Sequence, residues 1–593
     1  MQTPQPHALS RGVDDASHHS KGEPVLDIHE IQGNILAGFS KDFQILIALE
    51  ILDVATFKEW LSDQIPFIST TAEVLEFNKL FKKLKSRRNG MEGTLKATWF
   101  NIAFDFEGIK LLVGNADFKD QAFTNGLAKR AISELNDPLD VNAEGNPNKW
   151  VLGGPNNGKT HAFLIIASDS HELMLQEVLR IQESINMMSV NRPIAKITYK
   201  EEGGTLPAPL TGHEHFGFQD GVSQPGVRGT LSNDPNDVLT LRQNPLDDGQ
   251  GKPGQDLLWP GEFVFGYQGQ TPDKDIAEPG PVKREKEEWT KNGSFLVFRR
   301  LRQDVFGFHS FLKKTGDQMQ QSGHFNAPLN SSLPRLIGSK LVGRWPSGAP
   351  VMRTPGDDNY ILGNDDCASN HFEYNADDDV IKPSDRRTDI DCVDNEYGDQ
   401  IIRADIAGMK CPFAGHIRKA YPRNDAPRAL PVCDNAEKSG FSKEEDDKHE
   451  NDPAGINERT TQTHRMLRRG IPFGAVSPSS FDSPVQDKVS RGLHFLAYQT
   501  SIQNQFEFVS KNWVNNKDFK DESSGHDLIL GQTNENNRIR SAKMKFTNNN
   551  GDIICQDIVT KDENGKGIDF VIPTGGGYFF SPSISALEVI FSK

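Results

Sequence analysis

Three short clusters in this sequence carry side chains suited to chemistry. The first is HEHFGFQDGVSQPG, His213 to Gly226, with two histidines, the carboxylates Glu214 and Asp220, and Phe on either side of Gly217. Glycine permits positive φ and close backbone approach, so a carboxylate here is either a turn former or a group aimed into a pocket. The second is CPFAGHIRKAYPR, with His416, and the third is HRMLRRGIPFG, with Arg468, Arg469 and Gly470. Singly, each has a plain reading: an Asp-Gly turn, a core histidine beside Phe413 and Ile417, and an arginine pair at a helix end facing the macrodipole. His213 and His215, two apart, would suit one side of a metal on a strand, but no third ligand stands at a telling spacing. Together the clusters suggest more. A neutral imidazole holds a metal, and a carboxylate and a guanidinium opposite it form a pair that handles peroxide. One moves the proton and the other stabilises charge on the departing oxygen.

The elements that must position these groups are those of an α+β chain. Of its 593 residues, 24 at the N-terminus are polar and read as a disordered tail. Ile31 to Ile51 reads as a strand entering a core. TFKEWLSDQI and TTAEVLEFNKLFKKLKS have helical period, WFNIAFDFEGIKLLV turns from strand to helix, and HAFLIIAS is a strand. HELMLQEVLRIQESI is amphipathic, with Leu175, Val178, Leu179 and Ile185 assigned to one face. AKITYKEEG is again a strand. The order approximates β-α-β-β-α-β, the ferredoxin-like arrangement. A similar series returns with GEFVFGY, GSFLVFRRLRQDVFGFHSFLKKTG, RGLHFLAYQTSI and FEFVSKNW. Two domains of related design follow, residues 25–205 and 206–593, the second with polar insertions near 355–405 and 422–462. These read as solvated loops.

The bulk numbers narrow the partners. With 66 basic and 82 acidic side chains, the formal net charge is −16. That disfavours nucleic acid and anionic membranes and leaves a small molecule, or a neutral or cationic surface, as the expected partner. Five cysteines without C-x-x-C spacing read as a reducing compartment and not a disulfide framework. No apolar leader or run of 18 apolar residues is visible, so the expectation is cytoplasmic, or secreted if the sequence is a mature form.

GFQDG fits the G-x-x-D-G motif of the dye-decolorising peroxidases. The blocks IQGNILAGF, GEFVFGY, NGSFLVFRRL, LVGRWPSGAP, CPFAGHIRKAYPR, RRGIPFG, RGLHFLAYQ and PTGGGYFFSPS stand in the order of that family from Ile31 to Ser583. Length and insertions resemble the larger fungal-like and advanced bacterial subgroup. The resemblance implies two ferredoxin-like domains with one haem b per chain, mainly in the C-terminal domain. It implies His416 as the axial iron ligand, Asp220 and Arg468 as the distal catalytic pair, and Leu493 and Phe495 as walls of the distal pocket. It further implies Arg423 at a haem propionate, Asp527 as the carboxylate on the proximal histidine, and Trp513 as a surface radical relay. Tyr421 departs from the Asn expected beside the propionates, and His494 from an expected apolar residue.

The implied activity is hydrogen-peroxide-dependent oxidation of dyes, phenols and other aromatic donors by one-electron steps through a ferryl state, by a monomer or small homo-oligomer. A free Asp titrates at about 3.9 and His at about 6.5, so an Asp base predicts an acidic optimum. Other readings are a haem-binding or iron-handling protein without turnover, a non-haem metal hydrolase built on His213, Glu214 and His215, and an inactive interaction protein using its acidic loops.

Overall fold

The computed structural model describes residues 22–593 apart from 88–94, 190–191, 243–248, 324, 326, 366–367, 376–401 and 426–457. The tail to residue 21 and most of both polar insertions therefore lie outside the described residues.

One nine-stranded sheet runs through the molecule. Its N-terminal strands are β1 (Phe43–Ile51), β2 (Thr98–Phe104), β3 (Ala162–Ser168) and β4 (Ala195–Gly204). They lie in the order β4-β1-β3-β2, antiparallel throughout, as in a ferredoxin-like unit. The C-terminal strands are β5 (Ser294–Gln303), β6 (Leu467–Arg468), β7 (Ile471–Phe473), β8 (Gly492–Gln499) and β9 (Val571–Ser581). Their order is β9-β5-β8-β6, with β7 also on β8, so the same topological order recurs. The halves join where Phe580 of β9 pairs with Phe104 of β2. At the other end the sheet curls back, and a Cβ added at Gly203 of β4 would lie 2.8 Å from the carbonyl oxygen of Pro472 in β7.

Why these segments are strands is plain from burial. All seven residues of AFLIIAS are buried, as expected for a central strand covered on both faces. The helix His171–Met188 covers it with Met174, Val178, Ile181 and Ile185 buried. Leu179, assigned above to that face, is 55% exposed because it lies 100° around the helix from Val178.

Other expectations need correction. Residues 31–51 are not one strand: Gly33–Leu36 form a helical turn before β1 begins. GEFVFGY is a buried turn that begins inside the 3₁₀ segment Pro260–Glu262, not a strand. FEFVSKNW is helical, as expected of it, but in π-helical segments, Gln503–Glu507 and Val509–Val514. The last strand is β9, which includes three glycines, Gly575 to Gly577. The first part of the 355–405 insertion is not solvated loop: Leu362, Phe372 and Tyr374 pack with Trp345 and Ile402. Cys555 is disulfide-bonded, unlike the free, buried Cys411. Among the described residues no helix is long and apolar enough to cross a membrane.

Candidate active site

A cavity of about 360 Å³ opens on the C-terminal part of the sheet, within the range of cofactor and ligand sites. Asp220, His416, Arg423, Arg468, Leu493 and Phe495 all line it. Sequence separation hid this convergence; strand register explains part of it. On β8, Leu493 and Phe495 alternate with His494, so they share the cavity face while His494 points away. His494 is fully buried, stacks on Phe473 and bonds Glu201 through Nε2 at 2.7 Å. Its departure from an apolar residue therefore serves the closure between β4 and β8, not the cavity.

His416 opens the short helix His416–Ala420. Two residues on, the buried Arg418 anchors that turn, bonding both oxygens of Asp425 at 2.6 and 2.8 Å and the Cys411 carbonyl at 2.6 Å. His416 Nδ1 lies 2.7 Å from Oδ2 of Asp527. The other oxygen of Asp527 accepts the backbone N–H groups of Ile529 and Leu530 at 2.9 and 3.0 Å. Burial alone would raise the Asp527 carboxyl, but His416 and those two amides outweigh it and hold it below the usual carboxylate range. Burial opposes charge on His416, yet the Asp527 carboxylate raises the imidazole above its ordinary value. An ionised Asp527 only accepts, so Nδ1 carries the hydrogen, and in the neutral ring Nε2 keeps a lone pair. Nε2 makes no hydrogen bond among the described residues, and the side chain borders the cavity. That is the tautomer a metal-binding histidine needs.

Opposite chemistry comes from the glycine-rich loop and β6. Asp220 is exposed to the cavity opening, and its Oδ1 accepts the Gly221 N–H at 2.6 Å. The next turn clamps Arg468: Gln224 bonds both its N–H and its carbonyl, at 3.2 and 3.0 Å, and Ser223 accepts from its guanidinium at 2.6 Å. One loop thus carries Asp220 and fixes Arg468. The neighbouring Arg469 turns away and donates to the carbonyls of Asn34, Ile35 and Leu36, which explains the IQGNILAGF block. It caps a helical turn, though of the N-terminal half.

The His213–Glu214–His215 hydrolase reading fails. His213 bonds the Thr211 carbonyl, His215 bonds the Phe473 carbonyl at 2.8 Å, and burial pushes His215 down to about 4. Glu214 is occupied by backbone amides. No metal-holding group of three His, Cys, Asp or Glu occurs among the described residues.

Sequence reasoning did not assign Arg344, although it lies in the quoted block LVGRWPSGAP. It lines the cavity, and burial with Arg423 nearby pushes it down to about 9. It also missed Arg465 and Asp256. Arg465 bonds Asp256 and lies 3.5 Å over the Tyr421 ring, whose hydroxyl also donates to Asp256. Arg423 bonds the Phe372 carbonyl at 2.5 Å and the Asn370 side chain at 2.7 Å.

The donor set fits haem. Among the described residues Arg344, Arg423, Arg465 and Arg468 line the cavity against two carboxylates, Glu214 and Asp220, leaving positive charge for propionates. Leu493, Phe495, Ile529 and Leu530 supply apolar walls, and His416 supplies the free imidazole nitrogen. Trp513 does not line the cavity and is not on the surface. It is 4% exposed, packed against Phe508, Phe519 and His464.

Comparison with known proteins decides the family. Residues 30–199 match the DyP dimeric alpha+beta barrel domain, and residues 434–526 match the C-terminal domain of Dyp-type peroxidases. A dye-decolorizing peroxidase of Mycetinis scorodonius is 31% identical over 96% of this chain and 88% of its own. The chain belongs to the dye-decolorising peroxidase family. A multifunctional dye peroxidase of Amycolatopsis is 26% identical over 96% of both chains. The solved structure of an ancestral D-type dye-decolorizing peroxidase superposes with a TM-score of 0.66 at 30% identity, covering 96% of this chain and all of that one. The Auricularia auricula-judae enzyme gives 0.63 at 27% identity, covering 96% of this chain and 99% of that one.

Proposed function

We propose that this dye-decolorising peroxidase uses Asp220 and Arg468 to cleave hydrogen peroxide over a haem held by His416, and then oxidises dyes and phenolic donors one electron at a time. The observation that carries this reading is the Asp220–Gly221–Ser223–Gln224 loop, which holds a carboxylate and a guanidinium at one cavity facing an imidazole with a free Nε2.

Bound on His416, haem would supply the iron and the two electrons that peroxide takes up, which aromatic donors then replace one at a time. Asp220 has Oδ1 engaged by Gly221, while Oδ2 makes no hydrogen bond among the described residues. That oxygen takes the peroxide proton and returns it to the departing oxygen. Arg468 stabilises the developing negative charge with its remaining N–H groups, and Gln224 and Ser223 spare it reorientation. Asp527 keeps the His416 tautomer fixed and makes the ring a stronger donor. Arg344, Arg423 and Arg465 receive the propionates. No C-x-x-C-H occurs in the sequence, which supports non-covalent haem b.

Trp513 remains the candidate relay for donors too large for the cavity, as an internal station. His464 lines the cavity and meets Trp513 edge-on at 5.3 Å. The disulfide at Cys555 supports an oxidising compartment over the cytoplasm.

The test is a stopped-flow absorbance trace of haem-loaded protein mixed with one equivalent of hydrogen peroxide. A Soret band that drops and shifts, then recovers when an aromatic donor is added, is the expected result. A band indifferent to peroxide would overturn the assignment.

A further inference from the structure

We infer that Glu214 is the positioning residue for Asp220: its carboxylate is the internal template on which the distal loop folds. This rests on the role given to Asp220 above. The loop is a small hairpin. Asp220 donates its N–H to the Gly212 carbonyl at 2.9 Å, His213 bridges Gln219, and Glu214 donates its N–H to Phe218 O at 3.0 Å. Inside that hairpin the Glu214 side chain folds back on its own segment. Oε2 accepts the Phe216 N–H at 2.8 Å and Oε1 accepts the Phe218 N–H at 3.0 Å. Gly217, at φ +96°, makes the turn between them.

The two amides, of the buried Phe216 and Phe218, each take a different oxygen. In the same pose a side-chain amide would place an N–H group, which cannot accept, against one of them. The third partner is Gln303 at the end of β5, whose side-chain amide donates to Oε2. Glu214 thus ties the loop to the sheet that carries the cavity wall, and Asp220 leaves the hairpin at a place set by that tie. Three N–H donors converge on Glu214, the environment of an acceptor, and burial together with the nearby Asp220 still raises its carboxyl to about 7 against them. Nothing in the peroxide chemistry needs this group to touch substrate; its effect passes through Asp220.

The experiment is a double-mutant cycle on the haem-loaded full chain. The variants are Glu214→Gln, Asp220→Asn and both together. Stopped flow reads two constants separately: the bimolecular rate with hydrogen peroxide and the later reduction by an aromatic donor. Glu214→Gln removes one acceptor and turns an N–H group toward another donor, so the peroxide rate should fall roughly tenfold or more while the donor step stays unchanged. On the Asp220→Asn background it should have almost no further effect, because the group it positions is gone. Gln303→Met, which cuts the tether from the sheet, should lower the same constant in the same direction. A Glu214→Gln enzyme with unaltered peroxide rate would overturn the inference, as would losses that multiply with Asp220→Asn or that strike both steps equally. Failure of both Glu214→Gln and Gln303→Met to fold and bind haem would place Glu214 in folding instead, and would also overturn it. If Asp220→Asn alone leaves the peroxide rate intact, the assignment of Asp220 itself has failed, and that outcome is visible separately.

Discussion

His416 Nδ1 and Asp527 Oδ2 stand 2.7 Å apart, joined across 111 residues of sequence, with Asp527 fully buried. This pair sets the electronic character of the ring that faces the cavity. Asp527→Asn keeps the shape but removes the charge, so we expect a neutral imidazole that donates less to iron. Loss of such an outer partner usually costs about 10–100-fold in cofactor affinity or turnover. Titration with haem and a spectroelectrochemical measurement of the iron potential check it: affinity should fall and the potential should rise. An unchanged potential would remove Asp527 from this role.

Arg468 and Asp220 should fail differently. Arg468→Leu removes a preorganised donor and is expected to cost about 10²–10³-fold in the peroxide step. Asp220→Asn removes the proton carrier and is expected to cost about 10²–10⁴-fold. Added formate or acetate should partly restore Asp220→Asn, because a small acid can enter an opening where Asp220 itself is exposed. The same acids should do nothing for Arg468→Leu. Stopped-flow rates against acid concentration measure both, and equal rescue of the two variants would contradict the division of labour.

Trp513 offers a selective test. Its indole is 4% exposed, so a bulky dye does not stack on it directly. If it passes charge from the cavity by way of His464, Trp513→Phe should slow turnover of large dyes more than that of small phenols, and should leave the peroxide step untouched. Steady-state rates with one donor of each size, beside a stopped-flow trace, give the comparison. Equal losses everywhere would mean that the indole only packs against Phe508 and Phe519.

Local pattern revealed the strands whose apolar residues sit on a regular period, such as AFLIIAS, and it revealed Asp220, His416 and Arg468 as unusual. It did not bring those three together. The bonds that do so span long stretches: His416 with Asp527, Gln224 with Arg468 across 244 residues, Tyr421 with Asp256 across 165. Family resemblance placed them in one pocket where spacing alone left an ordinary turn and a core histidine. β9 escaped because Gly575, Gly576 and Gly577 carry no side-chain signal of a strand, although an added Cβ at Gly576 would lie 2.4 Å from the Phe298 carbonyl. Arg344 escaped because nothing in LVGRWPSGAP shows that its guanidinium is buried beside Arg423.

Glu201 gives a pH test of the closure between the two halves of the sheet. Its carboxylate receives Arg300 through two bonds of 2.7 Å and His494 through a third. Burial alone would raise it, yet these partners bring it down from 4.5 to about 2. His494 is itself held below its ordinary value by burial, so at neutral pH the cation that holds Glu201 is Arg300. A carboxyl depressed by folding stabilises the native state above its unfolded value and loses that contribution as pH falls through its folded value. The contribution is present at pH 7 and is lost between about pH 4.5 and 2. Glu201→Gln should therefore lower the denaturant midpoint at pH 7, and the gap between wild type and variant should close as the pH is brought down through that window. Chemical unfolding of both proteins at pH 7, 5, 4 and 3 measures it. A gap that stays constant with pH would show that the seam between β4, β5 and β8 is held by packing and not by this charge.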